Sequence, residues 1–135
     1  MSHYTKLVTK IKNRANLVKA LQKLGFREDQ IEVHDEAQNL YGYQGNKREQ
    51  KANVIIRRKN VGQASNDLGF VLQEDGTYGA IISDFDSHRY NERWRQDLDQ
   101  KYAIEQAKDA FTQEGWSFTE TIDKQGQVQL LGVMY

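Results

Sequence analysis

The sequence predicts an α+β domain: a mostly antiparallel sheet with two main helices packed on one face, in the order β-α-β-β, hairpin, α-β-β. Three observations point there. Two segments carry helical apolar spacing and each ends at a glycine, Gly25 and Gly115. The stretches around them alternate apolar and polar residues at strand period. Asp75-Gly76 stands in the middle of a run that alternates on both sides. Strands joined by short turns pair antiparallel, and the helices then segregate to one face. With 135 residues and no Pro-rich or low-complexity stretch, a single domain over 1–135 accounts for the chain.

Residues 4–11 alternate β-branched, aromatic or apolar side chains with Lys and Thr, which predicts a first strand. Asn13 can cap a helix whose apolar stripe is Leu17, Val18, Leu21 and Leu24, with Gly25 at its end. Ile31 and Val33 against Glu32 and His34 predict a half-exposed strand. Residues 40–44 continue the sheet after a kink, and "GNKREQ" reads as a solvated loop. The densest apolar run, "ANVIIRR", is short and β-branched, so it reads as a strand, followed by "KNVGQASN" as a loop. The segment "DLGFVLQEDGTYGAIISDFD" predicts a hairpin turning at Asp75-Gly76, which supplies the positive φ angles of a tight turn. Residues 91–114 hold no Gly or Pro and predict a second helix with a bend near Tyr102, ended by Gly115. Residues 117–122 and 127–133 form a last hairpin around "DKQG". The exits Gly25-Phe26 and Gly115-Trp116 match each other, which fits a duplicated βαββ unit, but Gly-aromatic is also an ordinary helix exit and that is the plainer reading.

Composition removes several chemistries. Without Cys there is no disulfide, thiolate nucleophile, cysteine-ligated iron–sulfur cluster or Cys-type zinc site. Nineteen basic and nineteen acidic residues cancel, so no global charge draws the chain to nucleic acid or anionic lipid. The start "MSHYTKLVTKIKN" has the features of neither a signal nor a transit peptide, and no run approaches the ~18 apolar residues of a membrane span. The chain is expected to stay in the compartment where it is made.

Three constellations carry the functional readings. Asp84, Asp86 and His88 alternate along "SDFDSHRYNERW" and, if extended, project to one side as metal ligands or an acid–base set; the plainer reading is that Asp84, Asp86 or Ser87 terminates the hairpin and caps the next helix. Tyr41, Tyr43, Lys47, Arg48, Arg57, Arg58 and Lys59 place aromatics beside cations in a β region, the means by which single-stranded nucleic acid is stacked and neutralised. The acidic "EVHDE" nearby counts against it. Tyr90, Trp94, Leu98 and Tyr102 recur at i+4, a row that drifts around a helix and either leaves an apolar patch for a partner or packs as a wide stripe on the sheet. His3 and His34 stand alone, at no metal-binding spacing. No nucleophile elbow or phosphate-binding glycine loop occurs.

In "MSHYTKLVTKIKN", "LVKALQKLGF", "GYQGN", "ANVIIR", "DLGF", "YNERW" leading to "LDQKYA", and "QEGWSF", in this order and essentially end to end, the chain resembles the cyanobacterial and plastid family catalogued as hypothetical chloroplast reading frame 35. It departs by ending "LLGVMY" where an Arg-Trp pair is expected. The family varies between carboxylates and amides around residues 83–88, which weakens a metal or catalytic role there. The resemblance implies a soluble protein of the cyanobacterial cytoplasm or plastid stroma with no established activity. Encoding of relatives near a second small protein and an ATPase of the AAA class implies an accessory or assembly role.

The expectation is therefore a non-catalytic accessory, assembly or regulatory protein, without a cofactor, acting through contacts with an unidentified protein partner at Tyr90, Trp94 and Tyr102. Exposed edges of an antiparallel sheet can pair across a two-fold axis, which adds a homodimer to the expectations. Nucleic-acid binding through Tyr41, Tyr43, Arg57 and Arg58 is the lesser alternative, and a metal or small-ligand site at Asp84, Asp86 and His88 the third.

Overall fold

The computed structural model describes residues 3–134. In chain order the elements are β1 (Tyr4–Leu7), α1 (Arg14–Lys23), β2 (Ile31–Tyr41), β3 (Lys47–Ile56), α2 (Arg58–Val61), β4 (Leu68–Leu72), β5 (Tyr78–Ser83), α3 (Glu92–Gln113), β6 (Trp116–Ile122) and β7 (Val128–Met134). Single 3-10 turns occupy Glu28–Gln30 and Asp86–His88. The fold is α+β. Strands β1 to β5 form one sheet in the order β1-β5-β4-β3-β2, while β6 and β7 pair only with each other, and every pairing is antiparallel. The two βαββ-like stretches thus place their closing hairpins differently.

The helices form and pack as their local sequence dictates. Asn13 Oδ1 accepts the Asn16 N–H at 3.0 Å at the start of α1, and Gly25, at φ +109°, takes the left-handed position after its end. Leu17, Ala20 and Leu21 are fully buried, with Val18 and Leu24 half-buried beside them. Asn91 caps α3, its Oδ1 accepting the Trp94 N–H at 3.0 Å, and the helix is continuous from Glu92 through Tyr102 to Gln113. Both helices cover the sheet face formed by Val54, Ile56, Leu68, Phe70, Ala80 and Ile82. Each such large apolar side chain contributes about 1.5–3 kcal/mol on burial. Polar contacts tie the helices together. Tyr102 Oη accepts the N–H groups of Lys12 and Asn13 at 3.1 and 3.0 Å, and Asn16 Nδ2 donates to Gln106 Oε1 and, at 2.8 Å, to Asp109 Oδ2.

The opposite face is covered by the sheet's own ribbon. Between Val33↔Val54 and Gln38↔Ala52 the register of β2 against β3 jumps, so residues 34–37 bulge out and the ribbon turns back. Its outer half lies over the sheet: a Cβ on Gly69 would stand 2.5 Å from Ala52 Cβ and 3.1 Å from Leu40 Cδ2, and the Arg48 guanidinium sits 4.8 Å over the Tyr4 ring of β1. Leu40, Ala52, Ile55 and Ile81 make a second small core beneath it. Asn53, 5% exposed, holds the bend: Nδ2 donates to the carbonyls of His34 and Asp35 at 3.2 and 3.1 Å, and Oδ1 accepts the Leu72 N–H at 2.9 Å.

Several local expectations are corrected. The stretch read as a solvated loop, "GNKREQ", ends inside β3, because cross-strand pairing with β2 holds Lys47 to Gln50 extended despite their polarity. The "KNVGQASN" stretch carries most of α2. Asp75 does not adopt positive φ. All three hairpins close through one five-residue turn, in which the first N–H donates to the fifth carbonyl and a glycine in fourth place donates to the first: 42–46, 73–77 and 123–127. Only that glycine is left-handed, Gly45 at +79°, Gly76 at +85° and Gly126 at +79°. β1 is also shorter than expected, ending at Leu7 and leaving Val8 87% exposed.

Candidate functional site

Two of the clusters read from the sequence meet at one end of the large sheet, and the residues that join them are Asn66 and Asp67, each 1% exposed. The turned-back ribbon brings Tyr41 against Asp67: Asp67 N–H donates to the Tyr41 carbonyl at 2.9 Å, and Asp67 Oδ2 accepts the Tyr41 N–H at 2.7 Å. The same carboxylate takes Arg57 Nη1 at 2.8 Å and, through Oδ1, the Arg58 N–H at 2.7 Å, while its carbonyl accepts the Tyr4 hydroxyl at 2.8 Å. Asn66 Oδ1 accepts the Tyr43 N–H at 3.0 Å, its Nδ2 donates to Ser83 Oγ at 2.9 Å, and its N–H donates to Asp86 Oδ2 at 2.9 Å. Strands β1, β2 and β5, helix α2 and the turn after β5 are thereby held to two buried residues, through both side chain and backbone. Sequence reading passed over both. The available signal was a polar pair directly preceding an apolar strand, where buried carbonyls and N–H groups need partners.

Charge at this end is largely spent internally. Arg57 bonds Glu32 through Nε and Nη2 at 2.7 and 2.8 Å, Asp67 at 2.8 Å and the Asn39 carbonyl at 3.2 Å, so it spans the ribbon before and after its bend. Its hydrogen bonds to Glu32, opposed by partial burial and joined by Asp67, raise its pKa, and the same bond holds the Glu32 carboxyl below the usual range. His34 Nε2 lies 2.9 Å from Glu32 Oε1. Burial pushes the Tyr4 hydroxyl well above the range of a free phenol. What remains open is a shallow recess of about 260 Å³ lined by Tyr41, Gly45, Arg57, Arg58, Lys59 and Asp67. Tyr41 and Tyr43 are 39% and 42% exposed, and the Arg58 and Lys59 side chains face solvent. The recess can offer a ring and cationic groups, but the guanidinium nearest the ring, Arg57 at 5.7 Å from the Tyr41 centroid, is already neutralised.

Asp84, Asp86 and His88 do not share one side. The segment is a 3-10 turn and not an extended strand, so alternate residues diverge: Asp86 is buried against Ser83 Oγ at 2.9 Å, and Asp84 and His88 are exposed. Asp84 acts through its carbonyl, which accepts the Ser87 hydroxyl at 2.6 Å. The cap of α3 is Asn91 and neither Asp. Among the described residues no group of three or more His, Cys, Asp or Glu side chains is placed to hold a metal. The aromatic row is likewise spent inside: Tyr90, Leu98 and Tyr102 are 2%, 2% and 9% exposed, and Trp94 is half-buried with its ring 4.9 Å edge-on to Tyr90. The row is the stripe by which α3 and the residues before it pack on the sheet, so it offers little surface to a partner.

Exposed apolar surface lies instead on the β6–β7 hairpin. Its inner face packs on α3 through Phe111, whose ring stacks on Trp116 at 6.0 Å and tilts against Phe118 at 6.2 Å, and through Lys108, whose Nζ bridges Glu105 at 3.2 Å and Glu120 at 3.1 Å. Gly132 permits this approach, since a Cβ there would stand 2.7 Å from Trp116 Cε3. Beyond the helix contact Ile122 is 69% exposed, and on the outer face Leu131 and Val133 are 67% and 50% exposed. Sequence reading found the hairpin but not that it stands apart from the main sheet.

No helix of the described residues is long and apolar enough to cross a membrane. A family model described as "Protein of unknown function (DUF1257)" matches residues 20–131, which include Asn53, Asn66, Asp67, Ile122 and Leu131. "Uncharacterized protein ycf35" of Cyanophora paradoxa is 31% identical over 133 residues, 97% of this chain and 95% of that one. No solved structure matches. With family model and relative both spanning most of its length, the chain belongs to the DUF1257 family, that of the hypothetical chloroplast reading frame 35 proteins.

Proposed function

We propose that the protein is a non-catalytic accessory module of the cyanobacterial cytoplasm or plastid stroma that acts by docking another protein on the outer side of its β6–β7 hairpin. The observation that carries this reading is where apolar surface is left exposed. Leu131 and Val133 on the outer face are 67% and 50% exposed, and Ile122, on the inner face beyond the helix contact, is 69% exposed, all on one small two-stranded sheet, whereas Tyr90, Leu98 and Tyr102 are buried. A two-stranded sheet is marginal in water without further cover, so apolar residues on its open side mark a place for a partner. The one hydroxyl–carboxylate pair described at the Asn66 and Asp67 end, Ser83 Oγ donating to Asp86 Oδ2 at 2.9 Å, is 1% and 4% exposed and closed off from a substrate, and the Asp67 carboxylate is bonded to Arg57 and backbone N–H groups.

A tagged chain purified from its native cell, beside an Ile122→Lys/Val133→Lys variant and a Tyr41→Ala/Arg58→Ala variant, tests the assignment. The expected result is a co-purifying protein that the hairpin variant loses and the recess variant keeps. Nuclease-sensitive material lost with the recess variant would overturn it in favour of single-stranded nucleic acid at Tyr41, Tyr43 and Arg58, a reading supported by the exposure of those rings beside solvent-facing cations.

A further inference from the structure

The four sheet edges are not alike. β1 is four residues long and carries Lys6. β2 is long, but it is bulged over residues 34–37 and carries Glu32, His34, Asp35 and Glu36. β6 carries Glu120, held by Lys108 at 3.1 Å. Short length, bulges and charges are the devices that keep an edge from pairing with another chain. β7 has none of them: Val-Gln-Leu-Leu-Gly-Val-Met contains no charged residue and no Pro, and its register against β6 is unbroken from Ile122↔Val128 to Trp116↔Met134. The turn bond from Asp123 N–H to the Gln127 carbonyl sets the alternation of the ladder. Backbone groups of Gln129, Leu131 and Val133 face β6, and those of Val128, Leu130 and Gly132 face away, where no strand of the described residues pairs with them.

We infer that a second copy of this chain docks on that edge, β7 against β7 antiparallel about a two-fold axis at Leu131, so that two hairpins become one four-stranded sheet. A second copy fits better than an unrelated strand because the edge is complementary to itself. No register brings like charges opposite each other, and an antiparallel pair about a two-fold is isologous and closes at two copies. Centring on Leu131 sets Leu130 opposite Gly132 of the copy, a large side chain beside the position where the Trp116 and Phe111 rings already crowd the backbone. It also pairs the outward N–H and C=O groups of Leu130 and Gly132. On the outer face the two Leu131 side chains meet, flanked by Val133 of each copy, and form one apolar row in place of two isolated pairs. This inference rests on the reading that the hairpin's outer side is the contact surface, and it adds that dimerisation builds that surface. Seven paired residues at about 3.3 Å each give a contact roughly 23 Å long, smaller than a standard protein–protein interface. A contact of this size fits a reversible, concentration-dependent dimer.

The absence of native Cys makes the register directly readable. Side chains at the two-fold of a non-hydrogen-bonded antiparallel pair have Cα atoms about 4.5 Å apart, within disulfide reach. Leu131→Cys in a glutathione redox buffer is expected to give a covalent dimer, and Lys124→Cys, in the hairpin turn, is not. Sedimentation of the unmodified chain from micromolar to submillimolar concentration is expected to show a monomer–dimer equilibrium. Leu131→Lys, which sets two ammonium groups face to face, is expected to abolish that equilibrium with an unchanged circular dichroism spectrum. A chain monomeric at every concentration, or a dimer that survives Leu131→Lys, overturns the inference. A monomer whose captured protein is still lost in the Ile122→Lys/Val133→Lys variant overturns the dimer alone and leaves the docking role standing.

Discussion

The β2–β3 and β6–β7 hairpins begin from similar local sequence and come to different ends. Each follows a helix that stops at a left-handed glycine and an aromatic residue, and each closes through the same five-residue turn. β2–β3 is built into the large sheet, doubles back over it and is fastened at Asn53, Arg57 and Asp67. β6–β7 stays straight, rests on α3 and keeps Ile122, Leu131 and Val133 in water. The difference lies in buried polar fastenings. A ribbon that bends frees backbone groups at the bend, and it can hold that shape only if side chains satisfy them. A straight ribbon keeps its ladder and needs no such help. The first hairpin is thus an obligatory part of the fold, whereas the second is an appendage whose stability depends on one helix contact and on whatever pairs with it.

The largest test of this contrast is Asn53→Ala. It removes three hydrogen bonds at the bend and leaves the Leu72 N–H and the His34 and Asp35 carbonyls without that partner. A loss of about 3 kcal/mol is expected, read as a lower urea midpoint of the whole domain. A smaller and local effect is expected of Gly132→Ala, whose Cβ must displace the Trp116 ring from 2.7 Å. The cost is about 1–3 kcal/mol and confined to the appendage, so amide hydrogen exchange should accelerate in β6 and β7 and stay unchanged in β3, β4 and β5. Acceleration in both sheets would show that the hairpin is not separable.

The smallest expected effect is pH-dependent. The hydrogen bond from Arg57, more than the neighbouring His34, holds the Glu32 carboxyl below its ordinary range despite partial burial. A carboxyl depressed in the folded state binds fewer protons there than in the unfolded chain. Its contribution is therefore complete above the unfolded value of about 4.3 and fades as pH falls through the folded value. Glu32→Gln should cost about 0.5–1 kcal/mol near neutral pH, a modest figure because solvent screens a side chain that is 36% exposed. Denaturant melts of variant and parent should converge as the medium is acidified below about pH 4.

What the sequence made legible was local. Asn13, Gly25 and Gly115 act within a few residues of themselves, and the apolar stripe of α1 needs only helical period to be seen. The double-back of β2–β3 was not legible, because Asn53 meets partners 18 and 19 residues away and its own segment reads as an ordinary buried strand. The Asp67 fastening is more remote still, with Tyr4 63 residues distant. For Tyr90, Leu98 and Tyr102 the i+4 spacing was visible, but whether such a row lies inside depends on α1, which packs beside α3 through contacts some 90 residues apart in sequence. Asp84, Asp86 and His88 failed for a backbone reason: the alternation that would align them requires a strand, and the chain turns there.

The placement of the two tryptophans gives each hairpin's surroundings a separate optical reporter. Trp94 sits edge-on to Tyr90 at the large core, and Trp116 stacks on Phe111 beneath β7. Excited at the indole band, Trp94→Phe protein emits from the appendage and Trp116→Phe protein from the body of the domain. Quenching by acrylamide or a red shift in one variant but not the other therefore times the release of the hairpin against the melting of the sheet.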